Sequence, residues 1–219
     1  MKFPIPSFSH SGEDRLILKL FGYRTSGTYV DVGCYHPVNY SNTYLLYLMG
    51  WSGVVIDADD TFLHSYREVR PKDKVVHMGI AARDNCAEFY LSADRSLNIF
   101  DETRAQELQS QDPRAIIGKK QVKVRPLVAV LSEYQIGPVD FFNIDVEGLD
   151  LEVLMSNDWS RWRPKLVLVE DHSLNLMRPG DSAIFRYLCS QGYWLHSKVN
   201  YSSVYTCEDR ARYNSPPSI

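Results

Sequence analysis

Short apolar runs and amphipathic stretches take turns along this chain. The runs at 28–32, 53–57, 74–78 and 165–170, and the aromatic-led run at 141–145, are each four to six residues long and sit between Gly and acidic positions. That pattern predicts strands buried on both faces. The intervening segments 13–21, 42–49, 61–69, 149–155 and 182–191 read as helices, with 128–134 a shorter one. Ser11 precedes the first with Asp14 three residues on, as a cap would; Gly50, Pro71 and Gly192 stop others. Strand, Gly or Asp, then helix is the signature of parallel strands with helical crossovers. The chain therefore predicts an α/β fold.

Some segments depart from this rhythm. A short strand is expected at 88–91 and an exposed one at 122–127. The last two strands, 194–199 and 203–207, read as a hairpin turning near Asn200 and Tyr201. Residues 92–120 are polar and weakly periodic, too long for an ordinary connection, and are expected to form a lid or acceptor-recognition insert. A helical lead-in over 1–27 and a loose Pro/Ser-rich tail at 211–219 complete one domain spanning 1–219.

Composition narrows the class. The chain has 219 residues, 44% hydrophobic and 23% charged, with a net charge of −3, which suits an ordinary globular domain. The only basic cluster is Lys119, Lys120, Lys123 and Arg125, so nucleic acid is not expected as a partner. Four scattered cysteines without a Cys-x-x-Cys pair suggest reduced thiols and a cytoplasmic location. There is no apolar run of membrane-spanning length and no apolar leader after Met1.

The candidate chemistry lies where strands end. The run from Phe141 stops at Asp145, Glu147 and Gly148. Carboxylates do not stay unpaired inside a buried strand, so these belong at its carboxyl end, where open α/β sheets bind ligands. Glu170, Asp171 and His172 end what should be the neighbouring strand. Together they offer oxygens for a divalent cation or an ammonium group, or a general base in His172; alternatively Glu170 and Asp171 simply cap or salt-bridge. Gly33 ends the first strand and lets a ligand approach the backbone, or marks a plain turn. Only this one glycine of a G-x-G-x-x-G fingerprint is present, which argues against NAD. Asp57 closes the second strand, where an acid accepts hydrogen bonds from a ribose diol or caps a helix; Asp59 and Asp60 suit the capping role better. His36 follows Gly33 closely, unlike the other, scattered histidines. Tyr35, Tyr40 and Tyr44 lie near the same turn and are candidates for contact with a sugar or an adenine.

These residues carry a resemblance. Tyr29-Val30-Asp31-Val32-Gly33, Ser41-Asn42-Thr43, the stretch from Gly50 to Asp57, Ile144-Asp145-Val146-Glu147-Gly148 and Val169-Glu170-Asp171-His172 resemble the motifs of FkbM-type S-adenosylmethionine-dependent methyltransferases. The opening Ser9-His10-Ser11-Gly12-Glu13-Asp14 is similar too, with His10 where Gln is usual. Asp57 stands where Glu is common, and Cys34-Tyr35 replaces small residues. The resemblance implies a Rossmann-like class I methyltransferase sheet, mostly parallel with a reversed C-terminal strand and helices on both faces. It implies S-adenosylmethionine as cofactor, with Asp31, Gly33 and His36 at its methionine part. Asp57 would take the ribose and Gly79 and Ile80 the adenine, with Asn42, Thr43 and Ala58 adding contacts. Asp145 would lie near the methionine amine or the acceptor. The implied activity is O-methylation, with a sugar or glycan hydroxyl the expected acceptor, in a free enzyme or a module of a larger glycan-synthesis enzyme. His172 is the expected base; Asp145 and Glu170 are expected to assist and to hold a Mg²⁺ or Mn²⁺ ion if one is used. Three other readings remain beside it: another nucleotide-binding Rossmann enzyme, a metal-dependent hydrolase using Asp145, Glu147, Glu170 and His172, and a cofactor-free interaction module.

Overall fold

The computed structural model describes residues 5–208; the tail expected to be loose lies outside them. In chain order the elements are α1 (Glu13–Leu20), β1 (Thr28–Val32), α2 (Tyr44–Leu48), β2 (Ser52–Asp57), α3 (Leu63–Val69) and β3 (Lys74–His77). Then come β4 (Gly79–Ile80), β5 (Asn85–Ser92), α4 (Glu102–Gln111), β6 (Ile116–Arg125) and α5 (Leu127–Glu133). The chain continues through β7 (Phe141–Ile144), α6 (Asp150–Met155), β8 (Leu166–Glu170), α7 (Ala183–Ser190), β9 (Trp194–Val199) and β10 (Ser202–Thr206).

Seven strands form the main sheet in the order β3-β2-β1-β7-β8-β10-β9. The first five are parallel; β10 inserts antiparallel between β8 and β9. This is the expected Rossmann-like α/β sheet with a reversed C-terminal strand. Alternation along each strand splits the core in two. Val30, Val32, Phe142, Ile144, Val167 and Val169 point to the face covered by α5, α6 and α7. Tyr29, Phe141, Leu166 and Leu168 point to the other, covered by α1, α2 and α3. Helices thus lie on both faces.

One local expectation is corrected. Ser11 does not cap α1: its N-cap is Gly12, at φ 92 and without a side-chain cap, while the Ser9 hydroxyl accepts from Gly12 N at 3.1 Å. Asp14 turns back instead, accepting from Phe8 N at 2.7 Å and so fixing the entering chain. The polar segment after residue 92 has structure of its own. It holds a 3₁₀ turn at Arg95–Leu97, the helix α4 and the first part of β6, which pairs with β5 and β4 in a separate three-stranded sheet. Its helix is capped by Asp101, whose side chain accepts from Arg104 N. Hydrophobic periodicity is faint there because one side of the hairpin faces water, as the outward positions of β6 show.

Candidate active site

The parallel strands β1, β2 and β7 present their carboxyl ends to one cleft. Its wall includes Gly33, Asp57, Ala58, Gly79, Ile80 and Asp145. Gly33 has a sharper role than giving a ligand access. At φ 77, it carries its α-hydrogens where a Cβ would lie 1.7 Å from the Asp145 carbonyl oxygen. Asp145 N donates to Val32 O at 3.0 Å, so the two strand ends can close up only over a glycine.

Asp57 sits at the floor of this cleft. Its Oδ2 accepts from Tyr35 N at 2.7 Å and its Oδ1 from Asp59 N at 2.8 Å. Each oxygen therefore fixes a loop and keeps a lone pair for a further donor. Burial pushes its carboxyl up to about 6, against the pull of those two amides. Asp59 takes the local turn instead, accepting from Thr61 N at 3.2 Å; α3 itself has Phe62 as N-cap with no side-chain cap.

Further along, Asp145, Glu147 and Glu170 bring three carboxylate oxygens within 4.8 Å of one another. Burial raises Asp145 well above the usual carboxylate range, and Glu170, Asp150 and Glu147 raise it further. Glu147 is pushed up to about 8 by burial and then by Glu170 and Asp150, against the pull of Arg104. Asp150 is pushed to about 7, again by burial first, although Val146 N and Gly148 N both donate to it. Glu147 is held at φ 54, a conformation that costs a non-glycine residue roughly 1 kcal/mol or more. Beside the cluster, His172 Nε2 lies 3.1 Å from Glu170 Oε1, and its ring packs at 4.4 Å against Tyr201. Such a set favours a positively charged guest.

The other expected residues lie beneath the cleft rather than along it. Asp31 is fully buried; Asn143 Nδ2 donates to its Oδ1 at 2.8 Å and the Thr43 hydroxyl to its Oδ2. Asn42 Nδ2 donates to Asn143 Oδ1 at 3.0 Å. His36 Nδ1 accepts from Val38 N and Asn39 N, which shapes the loop after β1. The structure thus gathers Gly33, Asp57, Ala58, Gly79, Ile80 and Asp145 in one wall, and sets Asp31, Asn42 and Thr43 in the network supporting it.

The FkbM methyltransferase domain matches residues 31–195, three quarters of the chain. The chain belongs to the FkbM methyltransferase family. None of the curated proteins matches it. Among solved structures, a putative RNA methyltransferase from Pyrococcus horikoshii is similar, with 12% identity, covering 94% of this chain and 92% of that one at a TM-score of 0.46. As an FkbM methyltransferase, the chain is expected to use S-adenosylmethionine. The donor set of the cleft fits that group in kind: Asp57 retains acceptor capacity, and the crowded carboxylates suit a sulfonium and an ammonium.

Sequence reasoning left part of this FkbM cleft unseen. Phe62, Met78, Phe89 and Phe100 supply apolar surface, and Arg95, Ser96 and Asn98 reach it from the 3₁₀ turn and the residue after it. Asn98 Nδ2 donates to Asp59 Oδ2 at 2.7 Å, tying the small sheet's loop to the main one. No local pattern announces that contact; only the pairing of Asp59 with a segment 39 residues away reveals it. No described helix is long and apolar enough to cross a membrane.

Proposed function

We propose that this protein transfers the methyl group of S-adenosylmethionine to a hydroxyl of a sugar or glycan. The observation that carries the reading is the continuity of the cleft. It runs from Asp57, Gly79 and Ile80 to Asp145 and Glu147, and Glu147 stands in the cluster with Glu170, which His172 touches.

The cofactor supplies an electrophilic methyl on sulfur. Asp57 would accept from the ribose hydroxyls with its free lone pairs. Ala58, Gly79 and Ile80, which line the cleft with Phe62 and Phe100, would hold the adenine. Gly33 and Asp145 would hold the methionine end, where the carboxylates would offset the positive charge. The support network of Asp31, Asn42 and Thr43 holds the loop after β1 in place. A sugar hydroxyl is a weak nucleophile at neutral pH, so alignment must be joined by proton removal. With Nε2 directed to Glu170, the imidazole of His172 offers Nδ1 as acceptor for the hydroxyl proton. Glu170 then stabilises the imidazolium. Oxygens bound to one cation at about 2.1–2.4 Å lie no more than about 4.8 Å apart. The Asp145, Glu147 and Glu170 oxygens meet that limit, so this trio, one residue larger than the expected pair, would hold Mg²⁺ or Mn²⁺ and supply charge for lowering the pKa of a bound hydroxyl.

The test is calorimetric titration with S-adenosylhomocysteine, on wild type and on Asp57→Ala, with EDTA and with added Mg²⁺. Saturable binding that falls by about tenfold or more in the variant supports the cofactor site. A folded wild type that binds nothing removes the reading. Methyl transfer to methyl glycosides, followed as S-adenosylhomocysteine release, then tests the acceptor; activity unchanged by EDTA removes the cation.

A further inference from the structure

Beyond the cleft, a rim of aromatic rings leaves the wall near Gly33 and ends at Glu170, in the carboxylate cluster beside the wall. Tyr35, two residues past Gly33, lies 6.4 Å from Tyr40 between ring centroids, and Tyr40 lies 5.9 Å from His10. His10 Nδ1 meets the Ser11 hydroxyl at 3.0 Å. From the β9–β10 turn, Asn200 Nδ2 donates to that same hydroxyl at 3.5 Å. Tyr201 follows, its ring tilted at 33° against that of His172 with centroids 4.4 Å apart, and His172 meets Glu170. Glu170 belongs to the carboxylate cluster with Asp145, whose carbonyl abuts Gly33. The circuit is closed. It joins the chain before α1, the loop after β1 and the β9–β10 turn, three segments far apart in sequence.

Two properties separate this rim from ordinary surface. Tyr40 and Tyr201 are 61% and 53% exposed, so neither is held by burial. And Tyr35 and Tyr40 have positive φ, at 48 and 59 degrees, two of the six non-glycine residues so placed among those described; Asn200, at 50 degrees, opens the two-residue β9–β10 turn, where that conformation is ordinary. Glu147, in the cluster the circuit reaches, is a further one. Strain of this kind persists where surrounding structure imposes it, and it gathers at ligand sites.

We infer that Tyr40 and Tyr201, flanking the Ser11–Asn200 contact, form the platform on which the acceptor's sugar ring lies while its hydroxyl reaches His172. The inference rests on the methyl-transfer reading above and adds the residues that select the acceptor. A phenol ring offers an apolar face for the C–H side of a pyranose and a hydroxyl for its rim. The carboxyl groups beneath offer oxygens to the hydroxyls of a sugar, so the ligand is a neutral, hydroxyl-rich sugar.

Saturation-transfer NMR tests this on protein loaded with S-adenosylhomocysteine, using the methyl glycosides of glucose, galactose and rhamnose as probes. Wild type, Tyr40→Asn and Tyr201→Ala are compared, Asn being chosen because it tolerates positive φ. Wild type is expected to show transfer to the ring protons of at least one glycoside. Each variant is expected to weaken that binding by about tenfold while titrating S-adenosylhomocysteine as wild type does. Transfer that survives both substitutions, or no transfer to any glycoside in the loaded wild type, overturns the platform and leaves methyl transfer standing. Absence of S-adenosylhomocysteine binding is a separate result, and it brings down the methyl-transfer reading together with the platform built on it.

Discussion

Two polar clusters built around the same sheet follow opposite principles. One lies under the loop after β1. Arg70, fully buried, donates to Asp73 Oδ2 at 2.7 Å, to the hydroxyls of Tyr29, Thr43 and Ser41 at 2.8, 2.9 and 3.2 Å, and to Pro37 O. Burial opposes its charge, but Tyr29, Tyr66, Asp73 and Asp31 together hold the guanidinium protonated. The other is the Asp145, Glu147 and Glu170 cluster, where negative groups crowd without a comparable cation. The first resolves its charges internally and so fixes the loop. The second leaves a surplus that a cationic guest can resolve. A site and its support are thus told apart by whether the electrostatics close.

The largest test of this contrast removes the internal cation. Arg70→Met would leave Asp73 and Asp31 buried without their counter-charge, and should cost about 3–5 kcal/mol in urea denaturation. Arg70→Lys should fall between, because an ammonium cannot reach all the acceptors of the planar fork. A loss below about 1 kcal/mol would mean the network is not the support described. Next comes the seam between the two clusters. Gly33→Ala puts a methyl on the Asp145 carbonyl and keeps an unfavourable φ, so it should cost about 2–4 kcal/mol and abolish S-adenosylhomocysteine binding. Full binding in that variant would show that β1 and β7 separate freely there.

Asp57 gives a smaller, pH-dependent test that belongs to the cleft between them. Its folded carboxyl is raised from the ordinary 3.8 to about 6. The folded state therefore holds the proton more tightly than the unfolded chain. The stability this contributes is full below the unfolded value and is lost as pH rises through about 6. Asp57→Asn should flatten that slope, an effect on the order of 1–2 kcal/mol after solvent screening. Cofactor affinity should run the other way, since the ribose needs an ionised acceptor: it should weaken as pH falls below about 6 in wild type and not in the variant. Parallel pH profiles for the two proteins would exclude Asp57 as the group responsible.

How much of this could be read from the chain follows from which forces are local. Strand ends at Gly33, Asp57, Asp145 and Glu170 were legible because an apolar run that stops on an acid encodes its own burial and its own edge. That the strands run parallel followed from helix-sized gaps; the reversed C-terminal strand was implied by the family resemblance, which the short final turn fits. Asn42 and Thr43 were placed in the right neighbourhood but not at the right depth: their polar side chains satisfy Asn143 and Asp31, a matter of pairing across about a hundred residues for one and twelve for the other. Arg70 was invisible for the same reason, since nothing near it in sequence requires a buried guanidinium. The small sheet's contribution through Arg95, Ser96 and Asn98 depends on docking to Asp59, which a weakly periodic polar segment does not encode.

The smallest effect is the most discriminating, because its sign reverses that of Arg70→Met. Glu147 is crowded by Glu170 and Asp150, raised to about 8 mainly by burial, and strained at φ 54. Glu147→Gln removes the repulsion and keeps the shape, so the ligand-free protein should gain about 1 kcal/mol, most clearly above pH 8 where the wild-type group is forced to ionise. The sign follows from linkage: a raised carboxyl contributes stability at low pH and loses it as pH rises through its folded value. The same change should weaken whichever cation the cluster receives, seen as a smaller stabilisation by S-adenosylmethionine or Mg²⁺ in thermal melts. One polar cluster would then lose stability when its charge is removed, while the other gains it and loses its ligand. If Glu147→Gln instead destabilises the ligand-free protein, the acidic cluster is structural, and the distinction between support and site fails at this residue.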